Sequence, residues 1–377
     1  MALVTERVVL RPFRLPLRAP LATSRGRVAT RDGVLIELGA GSGLRGFGEL
    51  CPLPGWPGET LAAAERALAE VAPVLLRCEL DARATLLPDA AEALLALPAL
   101  AATPLARAAL ETALLDLVAR ARGVRLAELL AGRARERVAV NALVAGDTAS
   151  EVARAVEAAR ARGYATWKLK VGQGPLEADV LRVASLRHSI GASARIRLDA
   201  GGAWSEAEAA RALAALARFD LEYVEEPLAD PAGMAALRMR TPVRLALEAG
   251  ALDAAALERA LAARAADVLV LKPALVGGLR RAEELARRAR AEGLAVVVTS
   301  FLDSALGVAA ALQLAAALPE PMPACGLATG ELLDFDLAEL SVLGGELALP
   351  PAPGLGVDPS PEALVRAARG APLEFSA

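Results

Sequence analysis

Residues 165–171 read A-T-W-K-L-K-V, and residues 195–199, one helical stretch later, read R-I-R-L-D. In a strand, alternation puts Lys168 and Lys170 on one face and Trp167, Leu169 and Val171 on the other. Burying two ammonium groups side by side is unfavourable unless nearby anions or a function require it. The pair alone suits equally a solvated strand edge whose lysines deter edge-to-edge association. The surrounding chain decides. From about Val138 the same rhythm recurs: V-A-V-N-A-L-V (138–144), L-E-Y-V-E (221–225), V-R-L-A-L-E (243–248), V-L-V-L-K (268–272), L-A-V-V-V-T (294–299) and a weak last strand near Cys325. Alanine-rich helical stretches separate them. Thr148…Glu151 and Ser205…Glu208 form capping boxes, and Asp253 marks a further helix start. Strand–helix alternation at this spacing predicts right-handed βαβ units and a parallel sheet. Eight such strands favour closure into a barrel over an open sheet.

The unusual charges then fall into one pattern. Lys170, Asp199, Glu225, Glu248 and Lys272 each end a strand, spaced 23 to 29 residues apart. In a closed barrel those ends converge on one mouth, where such folds keep their chemistry. Three neighbouring carboxylates repel one another unless a hard divalent cation neutralises them. An oxygen-only donor set, Asp199, Glu225 and Glu248, points to Mg²⁺, with Mn²⁺ as a substitute. Glu226 is expected to point away by alternation. A cation flanked by lysines suits removal of a proton next to a carboxylate, a weak carbon acid whose enolate needs electrostatic support. Lys170, nearest the strand end, is the candidate base. Lys168 would tune it or hold a substrate oxygen, and Lys272 would act from the opposite side.

Composition excludes other chemistries. The net charge of −3, from 42 Lys+Arg against 45 Asp+Glu, gives no basic surface for nucleic acid. The single histidine, His188, rules out multi-histidine zinc sites and weakens any Ser-His-Asp reading. It lies near a predicted helix end, where a capping or surface role is expected. Cys51, Cys78 and Cys325 imply no disulfide framework. The uncharged runs 93–106 and 304–319 are short for a membrane span, and the opening residues form no secretory signal. A cytoplasmic enzyme acting on a small carboxylate, as monomer or homo-oligomer, is the expectation.

The first hundred residues have a different rhythm. Residues 5–17 and 33–50 read as β-rich, with a polar loop from Pro20 to Arg31 and a turn at Thr30-Arg31-Asp32-Gly33. Gly41-Ser42-Gly43-Leu44-Arg45-Gly46 matches G-x-G-x-x-G, but the prolines after it forbid the helix a dinucleotide site needs, so a hairpin turn is expected. Helical patterns cover about 59–77 and 89–97. A longer helix runs from Thr103 as N-cap and Pro104 at the first position to Gly123.

The K-x-K strand, the Asp–Glu–acid series and the sixth-strand lysine resemble the enolase superfamily, muconate-lactonizing subgroup. T-R-D-G (30–33), G-E-L-C-P-L-P-G-W (48–56), V-E-E-P (224–227), V-L-K-P-A-L-V-G-G-L (270–279) and T-S-F-L-D-S-A-L-G (299–307) are most similar to its o-succinylbenzoate synthase family. The resemblance implies a modified (β/α)7β TIM-like barrel (106–344) under an N-terminal α+β capping domain (1–105, joined by a tail from about 345 to 377). It implies Mg²⁺-dependent syn dehydration of 2-succinyl-6-hydroxy-2,4-cyclohexadiene-1-carboxylate, with Lys170 as base and Lys272 as a cation over the ring. It places Arg197 behind the base, Thr299, Ser300 and Gly326 in the substrate pocket, and Ser24 and Arg25 on a loop closing over it. Two departures stand out: Asp199-Ala200-Gly201 lacks the family's asparagine, and Glu248-Ala249-Gly250 replaces Asp-Glu-Ser. A racemase of N-succinylamino acids or a dipeptide epimerase would use the same lysines. A Schiff-base aldolase or a barrel without catalysis are more distant alternatives.

Overall fold

The computed structural model describes residues 2–23, 26–55, 59–76, 78–81 and 89–377. The chain opens with a long hairpin, β1 (Ala2–Thr23) and β2 (Gly26–Ala40), followed by β3 (Arg45–Leu50). Thr30–Gly33 is therefore not a turn. These residues lie inside β2, paired with Phe13 to Pro16 of β1, and both strands run on to Thr23 and Gly26. The expected loop from Pro20 is mostly strand, because apolar Leu21 and Val28 face each other across the ladder and are buried. Within the Gly41–Gly46 segment, residues 41–44 do form the β2–β3 hairpin turn, starting with a short 3₁₀ turn, while Arg45 and Gly46 already pair with β2.

The short strand β4 (Glu79–Asp81) pairs with β1, between α1 (Leu61–Leu75) and α2 (Asp89–Leu95). After α3 (Pro98–Ala101) comes the long helix α4 (Pro104–Arg122), ended by Gly123 in the left-handed conformation. Helix α4 lies flush on β3, and glycine makes that possible. A Cβ at Gly48 would sit 1.9 Å from the Ala109 carbonyl oxygen, and one at Gly46 2.4 Å from that of Ala113. Gly46 thus serves helix–sheet packing. Thr103 occupies the N-cap position, but its hydroxyl donates to the Ala99 carbonyl. Glu59 does the capping instead, accepting from the Leu105 and Ala106 amides at 2.7 and 3.2 Å.

The expected strand 138–144 is split. β5 (Arg137–Ala139) turns outward and pairs with β14 (Glu346–Ala348), itself in a hairpin with β13 (Val342–Leu343). The barrel proper begins at β6 (Ala142–Val144). It continues through β7 (Thr166–Lys170), β8 (Arg195–Asp199), β9 (Leu221–Glu225), β10 (Leu245–Glu248), β11 (Val268–Leu271) and β12 (Ala295–Val298), all parallel and in sequence order. The eighth position is no full strand. Cys325 bridges to Val140 and Gly326 to Thr299, and these two contacts close the ring. Pro321 and Pro323 lack amide donors, which limits pairing just before them. The last strand, β15 (Leu373–Ser376), returns to pair with β1.

Inside the barrel, Tyr223, Ala246, Val268, Val270 and Val297 form a small apolar plug, separate from the large core between strands and helices. The helices start as expected at Thr148, Ser205 and Asp253. The uncharged run beginning at Ser304 is a fully packed barrel helix, Ala305–Ala317. Its buried Gln313 is satisfied by the Ala127 amide and the Leu355 carbonyl. Among the described residues no helix is long and apolar enough to cross a membrane. The three cysteines are buried and free, and His188 lies in the last turn of the helix Leu176–Ile190.

Candidate active site

The polar groups stand on the plug in tiers. One rung of the sheet carries Lys168, Arg197 and Tyr223; the next carries Lys170, Asp199 and Glu225. Glu225 is level with Ala246, so Glu248 rises two residues higher, and Lys272 two higher again, since Glu248 is level with Val270. The groups form a rising staircase around the mouth rather than a flat ring, as the stagger of a barrel requires.

Lysines and acids interleave along that staircase. The Lys168 ammonium lies 2.7 Å from Glu225 Oε2 and 3.0 Å from Asp199 Oδ2. Lys170 reaches the same Asp199 oxygen at 3.2 Å, and Lys272 donates to Glu248 Oε2 at 2.6 Å. Lys170 is the most open of the three lysines, its side chain 28% exposed against 14% for Lys168 and 16% for Lys272. Burial works against the Asp199 carboxylate, but Lys168 and Lys170 outweigh it and hold the group well below the usual range. Glu225 is pushed up by burial, with Lys168 opposing. Burial disfavours the charged forms of Lys168 and Lys272, yet their carboxylate partners win and raise both.

Glu226 departs from expectation. Its backbone is left-handed, with φ 43°, which breaks strand alternation just after Glu225. Its carboxyl stays in the field of the cluster: burial, then repulsion from Glu248, Glu225 and Asp199, push it up to about 8.

A cavity of about 120 Å³ opens over this array. Lys168, Lys170, Asp199 and Lys272 line its charged side; Leu21, Leu53, Leu143, Phe301 and Leu302 line the apolar side. Thr299, Ser300 and Gly326 all face the cavity. Ser300 shares a 2.6 Å hydrogen bond with Thr329, and the buried Thr299 hydroxyl has no hydrogen-bond partner among the described residues. Arg197 does not line the cavity. It lies beneath the floor, fully buried, donating to Glu222 at 2.6 Å, Asn141 at 3.0 Å and the Ala324 carbonyl. Ser24 and Arg25 lie outside the described residues. Sequence reasoning missed Tyr223, Asn141, Leu21, Leu53 and Phe301. Alternation back from Glu225 would have found Tyr223, and Phe301 directly follows Thr299 and Ser300; Asn141, Leu21 and Leu53 enter from separate segments.

This architecture has relatives. The profile described as Enolase C-terminal domain-like matches residues 151–363. The profile described as Mandelate racemase / muconate lactonizing enzyme, N-terminal domain, matches residues 5–131. The chain belongs to the enolase superfamily. An o-succinylbenzoate synthase of Thermobifida fusca is 42% identical over 218 residues, which are 57% of this chain and 67% of that protein. Muconate cycloisomerase 1-1 of Acinetobacter lwoffii is 34% identical over 270 residues, 70% of each chain. The solved L-Ala-D/L-Glu epimerase of Bacillus subtilis, a substrate-liganded complex, superposes with a TM-score of 0.85 at 26% identity, covering 94% of this chain and 98% of that one. Superfamily membership and these relatives support an enzyme with a small-molecule substrate, and enzymes of the superfamily generally use Mg²⁺.

Proposed function

We propose that this protein is an o-succinylbenzoate synthase, a carbon–oxygen lyase of menaquinone biosynthesis. It would dehydrate 2-succinyl-6-hydroxy-2,4-cyclohexadiene-1-carboxylate to 2-succinylbenzoate. The observation that carries the reading is Lys170, Lys272 and Asp199 on one cavity, with Glu225 and Glu248 buried and ion-paired to Lys168 and Lys272, in a chain 42% identical over 218 residues to such a synthase.

The donors suit Mg²⁺. Asp199, Glu225 and Glu248 are buried carboxylates, and Glu248 Oε1 has no hydrogen-bond partner among the described residues. Lysine ammoniums stand between the acids, and among the described residues no three His, Cys, Asp or Glu side chains converge as a preformed cage. Asp199, Glu225 and Glu248 would hold the ion, their oxygen-only set matching a hard cation. When bound, Mg²⁺ supplies Lewis-acid stabilisation of charge developing on a substrate carboxylate.

Lys170, the most open lysine, removes the proton α to that carboxylate and returns it to the departing hydroxyl on the same face, giving syn elimination. Lys168, fixed between Asp199 and Glu225, keeps a positive charge beside the base. Lys272 stays protonated on Glu248, 5.7 Å from the Phe301 ring centroid, as a fixed cation against the enolate. The leucines and Phe301 exclude water from the ring face.

A second reading, racemisation or epimerisation of an N-acylated amino acid or dipeptide, is favoured by the same two lysines reaching one cavity and by the epimerase neighbour. Lys272→Arg separates them: a dehydratase keeps turnover with a retained cation, whereas 1,1-proton transfer loses its second base. The primary test is Mg²⁺-dependent formation of 2-succinylbenzoate. Lys170→Ala is expected to lower it roughly 10³-fold. Undiminished turnover in EDTA or in Lys170→Ala would overturn the proposal.

A further inference from the structure

Lysine is a long, flexible base, and Lys170 has one side-chain partner among the described residues, Asp199. Its backbone, by contrast, is gripped from three directions. The Lys170 carbonyl accepts from Arg182 Nη1 at 2.9 Å, the Val171 amide donates to the Asp199 carbonyl at 2.9 Å, and the Gly172 amide donates to Asp179 Oδ2 at 2.8 Å. Asp179 and Arg182 sit one turn apart on the helix Leu176–Ile190 and form a buried ion pair. The same Arg182 nitrogen also donates to the Gly146 carbonyl at 3.1 Å, on the segment after β6. That segment walls a second cavity, which shares Leu21, Leu143 and Lys170 with the main one.

A buried ion pair is weak evidence for stability as such, since desolvation offsets much of the attraction. This pair spends its remaining hydrogen bonds on the backbone of the candidate base and of the adjoining pocket wall. We propose that Asp179 and Arg182 are positioning residues. Acting through the Lys170–Gly172 backbone, they hold the Lys170 ammonium against Asp199 and in reach of the substrate carbon, and they tie it to the loop at Gly146. The proposal deepens the lyase reading and rests on Lys170 as base. It predicts that loosening the pair frees the ammonium from Asp199, because the arc swept by a four-carbon stem grows with any tilt at its root. Misplacement by about 1 Å lowers turnover by as much as about 10²-fold.

Arg187, on the same helix, provides the control. It donates to the Phe219, Asp220 and Ala194 carbonyls, at the strand starts on the opposite end of the barrel. The test compares full-length Asp179→Asn, Arg182→Met, Arg182→Lys and Arg187→Met. Acylation of each lysine by a water-soluble reagent is followed by mass spectrometry, alongside kcat, KM and thermal midpoint. In Asp179→Asn and Arg182→Met, labelling of Lys170 is expected to quicken at least about threefold. Lys168 and Lys272 stay within twofold, and kcat falls about 10- to 100-fold with KM nearly unchanged. Arg182→Lys restores part of kcat. Arg187→Met lowers the thermal midpoint without either effect. Wild-type labelling of Lys170 in the folded Asp179 and Arg182 variants overturns the proposal, as does an equal loss of kcat in Arg187→Met. Labelling needs no substrate. If Lys170 labelling shifts as expected while the wild-type protein does not turn over the cyclohexadiene, the lyase reading fails and the positioning role stands.

Discussion

Lys168 serves two carboxylates at once, and that shared cation compensates the buried Asp199 and Glu225. Replacing it by methionine keeps the packing volume but leaves two acids facing each other. Lys168→Met is expected to destabilise the protein by roughly 3–5 kcal/mol in EDTA, read by urea denaturation. Mg²⁺ should restore part of that loss, since an ion bound only by the folded chain adds stability by mass action. Glu248 makes the complementary case. Its second oxygen is buried and has no hydrogen-bond partner among the described residues, so Glu248→Gln should weaken Mn²⁺ binding at least about tenfold by titration calorimetry. Equal affinity in the variant would remove Glu248 from the donor set. At this scale the sequence was informative: alternation put both lysines on one face and the acids at strand ends. It did not reveal that Lys168 takes two acids and Lys170 one, which depends on the offset of β8 and β9 against β7. Nor did alternation hold at Glu226, where a left-handed backbone overrides it.

Helix starts divide by how local their caps are. Thr148, Ser205 and Asp253 cap their own helices and were legible as short motifs. Three other helices take carboxylates from far along the chain at their starts, the last of them in addition to its own Ser304 cap. Glu59 caps α4; Glu111 accepts from the Arg280 amide at the start of the helix Leu279–Ala291, which has Gly278 at its N-cap; and Glu49 accepts from the Ser304 and Gly307 amides. Burial pushes Glu59 up to about 7 from 4.5, with the Leu105 and Ala106 amides opposing. The raised value fixes the sign. Stability from keeping this carboxyl protonated is fully present below pH 4.5 and is lost as pH rises through about 7. Glu59→Gln lacks that titration. Relative to wild type it should therefore gain stability, on the order of 1–3 kcal/mol, between those limits, checked by urea denaturation at several pH values. A pH-independent difference would place Glu59 elsewhere.

Across the whole molecule, the N-terminal sheet grips one barrel loop twice. Arg31, fully buried on β2, donates to the Phe301 and Leu302 carbonyls of that loop, and to Cys51 and Pro52 beside the cavity. Glu49, on β3, accepts from Ser304 and Gly307 just beyond. Leu53, Phe301 and Leu302 line the cavity over the lysines, and Leu302 is held at φ 58°. Arg31→Met leaves four carbonyls without their donor. It should raise KM about tenfold while changing kcat less, because the pocket wall moves and the lysines do not. A fall confined to kcat would contradict that assignment. The T-R-D-G motif drew attention to Arg31, but the sequence suggested a turn there, since its reach to residues some 270 positions away has no local trace.

By itself the sequence determined the barrel, its strand order and the charged groups at the strand ends, because period-two alternation, capping residues and βα spacing are local properties that a single segment expresses. Only the tertiary structure decided the staircase of lysine–acid pairs, the remote caps, the reduction of the eighth strand to two bridges and the apolar wall over the site. Each of these depends on register between strands or on contacts between distant segments, and such relations exist only once the sheet has closed.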